Sequence, residues 1–459
     1  MEYGLIGEHL SYSYSKDIHE RLSPCAYELR ELPREGLDAF LREAPFLGIN
    51  VTIPYKEAVL PYLSWISPEA RAIGAVNTIV KRNGRLLGYN TDYFGLKALA
   101  ARAGVTFRSR RVLILGAGGA AKCARALAQD EGAVSVTHAV RNPREPGQIR
   151  LDSLGPDCNC EILINCTPVG VSPNEEDCPA DLKSLPCLKG VLDLIYNPLR
   201  TNLILDAQEA GIAAEGGLYM LVAQAVAARR VFDGIPGQAG KGVLEIPGQA
   251  GDDEDVMAGN DRPSIHGDDT VMAGQPGADV DVMAGSDRPS VDACYNALYR
   301  AKRNLVLTGM PTSGKSTLAR LVAGKTGRRV VDTDTLIPEK AGKSIRQIFA
   351  EDGEARFRAW ESEVIGELSR QTGLVIATGG GAVLDWQNVR RLRRNGTILY
   401  IQRDLERLTA TADRPLSSDR TALEALYERR KAAYERAAEV IIDNNGSLGD
   451  SLRQIEALI

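Results

Sequence analysis

Short apolar runs alternate with helically spaced stretches over two long parts of the 459-residue chain, residues 1 to about 233 and about 293 to 459. Runs such as Val112-Leu113-Ile114-Leu115 and Asn304-Leu305-Val306-Leu307-Thr308 are apolar on both faces. Strands buried in a parallel sheet need that composition, and each run leads into a helical pattern. The alternation predicts α/β architecture in both parts. Between them the pattern stops. Residues 234–292 carry no aromatic side chain, and the stretch repeats itself: IPGQAG at 235–240 recurs at 246–251, and 255–264 recurs with one change at 281–290. Such a segment buries too little apolar surface to offset its ordering entropy, so a disordered, acidic linker is expected. As a flexible coil it spans roughly 40–45 Å and tethers the flanking units without fixing their orientation.

Charge sharpens that division. Residues 252–292 hold eleven acids and two arginines, a net of −9 against −5 for the whole chain, so the remainder carries +4. No basic stripe points to nucleic acid. No apolar run is long enough to span a bilayer, and the N-terminus lacks the basic and apolar regions of a signal peptide, so a cytoplasmic protein is expected. The eight cysteines lack C-x-x-C spacing and the four histidines are scattered. Reduced thiols are expected rather than disulfides or a zinc site.

Two glycine loops carry the candidate chemistry. Gly309-Met310-Pro311-Thr312-Ser313-Gly314-Lys315-Ser316-Thr317 lies between an apolar run and a helical stretch, the P-loop pattern. There backbone N–H groups and a helix N-terminus cradle phosphates, Lys315 reaches the outer phosphates, and the Ser316 hydroxyl ligates Mg²⁺. Downstream, Asp332 and Asp334 end a strand, which suits one carboxylate near Mg²⁺ and one on a substrate hydroxyl. Gly379-Gly380-Gly381 lets a ligand approach the backbone. The other loop is Gly116-Ala117-Gly118-Gly119-Ala120-Ala121, a G-x-G-x-x-A dinucleotide fingerprint after the 111–115 run. The next strand ends at Arg141-Asn142-Pro143-Arg144, where basic side chains suit the 2′-phosphate of NADP better than the ribose of NAD.

Ahead of the fingerprint lie four polar clusters: Ser11-Tyr12-Ser13-Tyr14-Ser15, Asn50-Val51-Thr52-Ile53-Pro54-Tyr55-Lys56, Gly74-Ala75-Val76-Asn77-Thr78 and Gly88-Tyr89-Asn90-Thr91-Asp92. Each alone reads as turn chemistry. Together they offer hydroxyls, amides, one lysine and one aspartate, a donor set for a polyhydroxylated acid and not for a metal.

With these motifs, residues 1–233 resemble shikimate dehydrogenase. The matches are Ser13 and Ser15, Asn50 to Lys56, Gly74 to Thr78, Asn90 to Asp92, Gly116 to Ala120, Asn165-Cys166-Thr167-Pro168-Val169-Gly170, Asp193-Leu194-Ile195-Tyr196 and Leu221-Val222-Ala223-Gln224-Ala225, in order. The resemblance implies a substrate domain (about 1–103 and 215–233) and a Rossmann NADP domain (about 104–214). It implies NADPH-dependent reduction of 3-dehydroshikimate to shikimate. Lys56 and Asp92 would be the acid–base dyad, and Ser13, Ser15, Thr52, Asn77, Tyr196 and Gln224 would hold substrate. Gly116, Gly118, Gly119, Ala120, Arg141 and Arg144 would bind the cofactor. A preference for quinate with NAD, or a non-catalytic sensing module, is the alternative for this half. One departure is that the family's last helix is shortened, because the linker begins near Gly234.

Residues 303–459, within a second unit at 293–459, resemble shikimate kinase. Asp332-Thr333-Asp334, Phe357-Arg358, Gly379 to Gly381, Arg414-Pro415-Leu416 and Arg430 to Tyr434 match its motifs. The resemblance implies a P-loop kinase with a parallel sheet that phosphorylates the 3-hydroxyl of shikimate with ATP and Mg²⁺. Asp334 would orient and deprotonate that hydroxyl, and Arg358, Gly380 and Arg430 would hold the substrate. Gly309, Gly314, Lys315, Thr317, Arg407 and Arg414 would bind ATP, with Lys315 also catalytic and Ser316 and Asp332 serving the metal. Thr312 stands where the family commonly has glycine. The expected partners are thus small molecules, with no nucleic acid and no membrane.

Overall fold

The computed structural model describes residues 1–10, 13–234, 289–409 and 419–459. The linker expected at 234–292 lies almost wholly outside the described residues, as do Ser11, Tyr12 and the Arg414-Pro415-Leu416 motif. The described residues form an α/β protein with three sheets, two of them wholly parallel.

The first sheet contains β1 (Tyr3–Gly7), β2 (Tyr27–Glu31), β3 (Gly48–Val51), β4 (Trp65–Ile66), β5 (Thr78–Arg82) and β6 (Arg85–Tyr89), in the order β2-β1-β3-β5-β6-β4. β1 runs parallel to β2 and β3, while β5 is antiparallel to β3 and β6. The β5–β6 hairpin turns at Asn83-Gly84, both with positive φ, the pairing that matches the right-handed twist of the strands. The second sheet contains β7 (Arg111–Leu115), β8 (Ser135–Val140), β9 (Gln148–Arg150), β10 (Ile162–Asn165), β11 (Gly190–Asp193) and β12 (Ala213–Gly216), in the order β12-β11-β10-β7-β8-β9. The third contains β13 (Asn304–Thr308), β14 (Val330–Asp332), β15 (Val375–Ala377), β16 (Gly396–Gln402) and β17 (Val440–Asp443), in the order β14-β15-β13-β16-β17. Both glycine loops follow the strand at which the chain changes direction across its sheet, β7 in one case and β13 in the other. That is where a parallel sheet opens a crevice for ligands.

β10, β11 and β13 are buried along their whole length, as their apolar composition requires. The Leu218–Asp233 helix packs on the Asp92–Arg102 helix and returns to the first sheet. Its Phe232 is buried so tightly that a Cβ on Gly48 would fall 2.4 Å from the ring.

The expectation that the two halves have no fixed orientation is corrected. The Val291–Lys302 helix buries Cys294, Tyr295 and Leu298 in the same apolar cluster as Ile18, Leu22, Leu218 and Val222 of the first half. The Trp386–Asn395 helix meets the Asn202–Glu209 helix, with Arg390 on Asp206 at 2.7 Å. Length and composition of a tether say nothing about complementary surfaces far away in sequence, which is why the linker alone misled.

At the end of β11, Asp193 is fully buried and accepts hydrogen bonds from Thr201 (2.6 Å), Asn165 (3.0 Å) and the Ile195 N–H (3.1 Å). Burial outweighs these bonds and pushes its carboxyl up to about 6 from the usual 3.8. A raised folded-state value means the folded form binds its proton more tightly. That stabilisation is present below about pH 4 and is lost as pH rises to about 6, by roughly 2–3 kcal/mol. Asp193→Asn should flatten this part of the stability–pH curve in urea titrations between pH 4 and 7; an unchanged slope would refute the assignment.

Candidate active sites

The first site forms where β3 and β6 end and β5 begins. Lys56 follows β3, and Asp92 opens the Asp92–Arg102 helix directly after β6. Their side chains meet at 2.6 Å, with 24% and 16% of each exposed, so the pair is sheltered without being closed off. Asn77 Nδ2 donates to the other Asp92 oxygen at 2.9 Å and to Thr91 Oγ1 at 3.0 Å. Thr91 in turn donates its N–H to Asn77 Oδ1 (2.7 Å) and its hydroxyl to Gln224 Oε1 (3.3 Å). Lys56, Asp92, Asn77 and Gln224 are therefore one network, and Thr91 is its hub. No role for Thr91 was expected, although it sits inside the Asn90-Thr91-Asp92 motif; a buried hydroxyl between two amides leaves no mark of its own in a sequence.

Ser13 and Ser15 lie at the start of the Ser15–Leu22 helix, where Ser13 Oγ accepts the Ser15 N–H at 3.2 Å. Thr52 sits against the end of β1, its N–H on the Ile6 carbonyl at 2.9 Å. Tyr196 follows β11 and packs against Tyr14 with ring centres 5.3 Å apart. Burial raises the hydroxyls of both tyrosines, Tyr14 to about 12, so both remain neutral donors.

In the second sheet, Gly116 takes φ +104° at the end of β7, a turn that strains any side chain. Nothing stands within 4 Å of the Cβ positions of Gly118 and Gly119, so the N-terminus of the Gly119–Asp130 helix is open to a pyrophosphate. Arg141 and Arg144 are exposed just past β8. These residues fit a dinucleotide with an additional phosphate.

The second site is built on β13, β14 and β15. Lys315 is buried, and its ammonium donates to the Gly309 and Met310 carbonyls at 2.9 and 2.8 Å, folded into its own loop. Ser316 Oγ donates to Asp332 Oδ2 at 2.7 Å, a hydroxyl–carboxylate pair of the hard oxygen type that suits Mg²⁺. Asp332 also accepts the Asp334 N–H at 3.0 Å, fixing the first turn of the Thr333–Ala341 helix. A Cβ on Gly379 would stand 2.7 Å from both Asp334 Oδ1 and Glu361 Oε1. The glycine backbone thus makes room where two carboxylates converge.

Arg358 lies beside Gly381 and pairs with Glu361 at 2.7 Å, while Arg430 lies beside Gly380. Tyr434 donates its hydroxyl to the Gly380 carbonyl. Asp334, Arg358 and Arg430 therefore converge on the Gly379–Gly381 turn. Thr317 lies in the first turn of the Lys315–Thr326 helix, and Arg407 donates to the Asn445 carbonyl. Arg414 lies outside the described residues.

Asn444, just past β17, was not expected: its side chain donates to the Ser313 carbonyl at 2.6 Å and shores up the P-loop from below. Its lone place after a late strand gives it no sequence signal.

The family model for the shikimate dehydrogenase substrate-binding domain matches residues 5–79, and that for shikimate kinase matches residues 311–458. The NADP(+) shikimate dehydrogenase of Clostridium beijerinckii is 35% identical over 245 residues, covering 50% of this chain and 91% of that protein. That of Thermus thermophilus is 36% identical over 249 residues, covering 51% and 93%. The chain belongs to the shikimate dehydrogenase family. Among solved structures, a chorismate mutase/shikimate 5-dehydrogenase fusion protein from Clostridium acetobutylicum is 37% identical with a TM-score of 0.49, covering 51% of this chain and 91% of that one. The dehydrogenase relatives account for the first half alone, and the kinase family model accounts for most of the second.

Thr312 holds φ +61°, a left-handed conformation that β-branched residues resist. Its hydroxyl donates to the Thr409 carbonyl (3.1 Å) and accepts the Thr409 N–H (3.0 Å), tying the P-loop to the segment after the Leu405–Arg407 turn. The two bonds offset the strain. Thr312→Ala keeps the strained backbone and loses both bonds, a destabilisation of about 1–2 kcal/mol. Thr312→Gly relieves the backbone and should cost less. Chemical denaturation of the two variants checks the order, and a glycine variant less stable than the alanine one would overturn this reading of Thr312.

Proposed function

We propose that the two sites catalyse successive reactions on one carbon skeleton. The first half is a shikimate dehydrogenase that uses NADP, the second a shikimate kinase that uses ATP and Mg²⁺, and the chain is a bifunctional enzyme of the shikimate pathway. The observation that carries this reading is the pairing of the Lys56–Asp92 dyad with a P-loop beside a glycine turn on which Asp334, Arg358 and Arg430 converge. Both sites suit a hydroxylated carboxylic acid. The substrates follow as 3-dehydroshikimate in the first half (1–233) and shikimate in the second (293–459).

When bound, NADPH supplies the reducing equivalent at the first site, and ATP with Mg²⁺ supplies the phosphoryl group at the second. The chain supplies the rest. Reduction of a ketone develops negative charge on its oxygen, and the Lys56 ammonium stabilises that oxygen and gives it a proton from Nζ. Asp92 holds the ammonium at 2.6 Å, and Asn77 holds Asp92 in turn. Ser13, Ser15 and Thr52 bind the ring carboxylate, and Tyr196 and Gln224 orient the hydroxyls. In the second half, Asp334 accepts the proton of the attacking 3-hydroxyl. The Arg358 and Arg430 forks clamp the carboxylate, a match of planar donors to planar acceptor that a lysine lacks. Glu361, its own carboxyl raised by burial, holds Arg358 in that position. Lys315 leaves its loop carbonyls for the phosphates.

Incubation of the whole chain with dehydroshikimate, NADPH and ATP should yield shikimate 3-phosphate. Lys56→Ala should lower NADPH oxidation about 10²–10⁴-fold and leave phosphorylation of added shikimate intact, and Asp334→Ala should do the reverse. Loss of both activities in either variant, or of neither, would contradict the division of labour. Replacing Arg141 and Arg144 together with alanine should raise the KM for NADPH about tenfold or more while leaving that for NADH nearly unchanged. Equal effects on the two cofactors would remove these residues from the 2′-phosphate.

A further inference from the structure

The two halves meet at a surface that reaches from the kinase half into the loops beside the dinucleotide fingerprint. Arg394 lies on the Trp386–Asn395 helix and is only 3% exposed. It grips Glu176 with both guanidinium nitrogens, at 3.1 and 2.7 Å, and donates to Asn202 Oδ1 at 3.3 Å. Arg391 reaches the same Glu176 at 3.0 Å, Arg370 reaches Glu175 at 3.4 Å, and Arg390 bridges Asp206 and Glu209. In the opposite direction, Arg200 pairs with Glu439, its N–H donates to the Arg394 carbonyl at 2.8 Å, and the Leu199 N–H donates to Asn395 Oδ1 at 2.9 Å. A second patch lies elsewhere on the first half. There the Val291–Lys302 helix places its apolar face on the Ser15–Leu22 and Leu218–Asp233 helices, flanked by Asp292 on Arg102 and Lys302 on Asp17. Only Arg303 separates this helix from β13 of the kinase sheet.

The acidic side of the first patch is continuous with the cofactor loops. Asn202, which Arg394 touches, donates to the Glu175 and Glu176 carbonyls at 3.2 and 3.0 Å. Its neighbour Thr201 bonds to Asp193, which bonds to Asn165 at the end of β10. The following residues, Cys166 and Thr167, lie within 3.5 Å of where a Cβ on Gly116 would stand. The Cys166 N–H also donates to the Leu115 carbonyl at 3.0 Å, so bonded contacts run from a kinase arginine to the strand end that leads into the fingerprint.

We propose that the kinase half is a docked structural partner of the dehydrogenase half, held non-covalently by the Arg390/Arg391/Arg394 face, and that Arg394 is a positioning residue for the dehydrogenase cofactor loops. The partner that this acidic surface fits is an arginine-rich helix face of the same chain. Charge complementarity and the burial of Arg394 set the pose, and the apolar helix supplies the buried area. Segment 235–288 then joins the halves without being needed to hold them.

The test places a protease site within 235–288 of the full chain and cuts it. The fragments should migrate as one species at micromolar concentration in low salt, read by size-exclusion chromatography with mass measurement. Arg394→Glu together with Arg391→Glu should weaken association at least about 30-fold, as expected when a buried arginine is lost and like charges face each other across the surface. Separation of the wild-type fragments in low salt would overturn the docking. In the uncut chain, Arg394→Ala should raise the KM for NADPH several-fold with kcat for dehydroshikimate reduction and the kinase rates unchanged, and Arg394→Lys should restore part of it. An unchanged KM would overturn the positioning role, as would equal loss in every activity. The positioning role rests on the dehydrogenase reading above, whereas the mass of the cut chain is read without any activity, so the two can fail separately.

Discussion

Every functional group at the two nucleotide loops depends on one constraint: a parallel strand must be followed by a crossover, so its carboxyl end always faces the same edge of the sheet. β7 and β13 each stand where the chain's path across the sheet reverses, so the crossovers on either side part and leave a crevice. The fingerprint glycines and the P-loop lie in those crevices because no other edge offers a helix N-terminus beside free backbone N–H groups. The next strands in the chain bring what the phosphates need next, Arg141 and Arg144 after β8 in one half and Asp332 at the end of β14 in the other. The dyad of the first sheet obeys the same geometry in a mixed setting, since Lys56 follows β3 and Asp92 follows β6.

What was legible in the chain is what is local. The glycine loops, the strand before each and the charged residues at the next strand end lie within a few tens of residues, and their chemistry is written in residue type and spacing. The ordered motifs of the first half also carried the family resemblance. The links between motifs were less visible. Thr91 joins Asn77, Gln224 and, through Asn77, Asp92, but a threonine between an asparagine and an aspartate looks like a turn. Thr312 looked like a departure from a glycine, and whether it tightened the loop was open; its two bonds to Thr409 give it a purpose that depends on a segment 97 residues away.

The inter-half surface was the least legible. Arg390, Arg391 and Arg394 sit on a helix with the spacing of a solvated basic face, and the acids they meet lie 181 to 218 residues earlier in the chain. Spacing along a helix reports which residues share a face and is silent about what covers that face. The same limit explains the linker reading. Its composition describes the tether itself, whereas orientation is decided by the surfaces at its two ends.

Electrostatics on that surface favours specificity over simple adhesion. Arg394 holds the Glu176 carboxyl down at about 2, well below its usual 4.5, with Arg391 adding to the effect against the cost of burial. A buried arginine of this kind is tolerable only where a carboxylate and an amide meet all its donors in one geometry, so a shifted docking pose would leave charge unpaired. The apolar patch around Cys294, Tyr295 and Leu298 is less particular about angle and supplies the burial that the ionic patch lacks. Neither patch alone would set both tightness and pose. Together they place a kinase active site and a dehydrogenase active site in a constant relation, while each keeps its own crevice and its own nucleotide. A small product released by one site is still free to diffuse, so the gain from this arrangement lies in the stiffness it lends the cofactor loops and not in proximity.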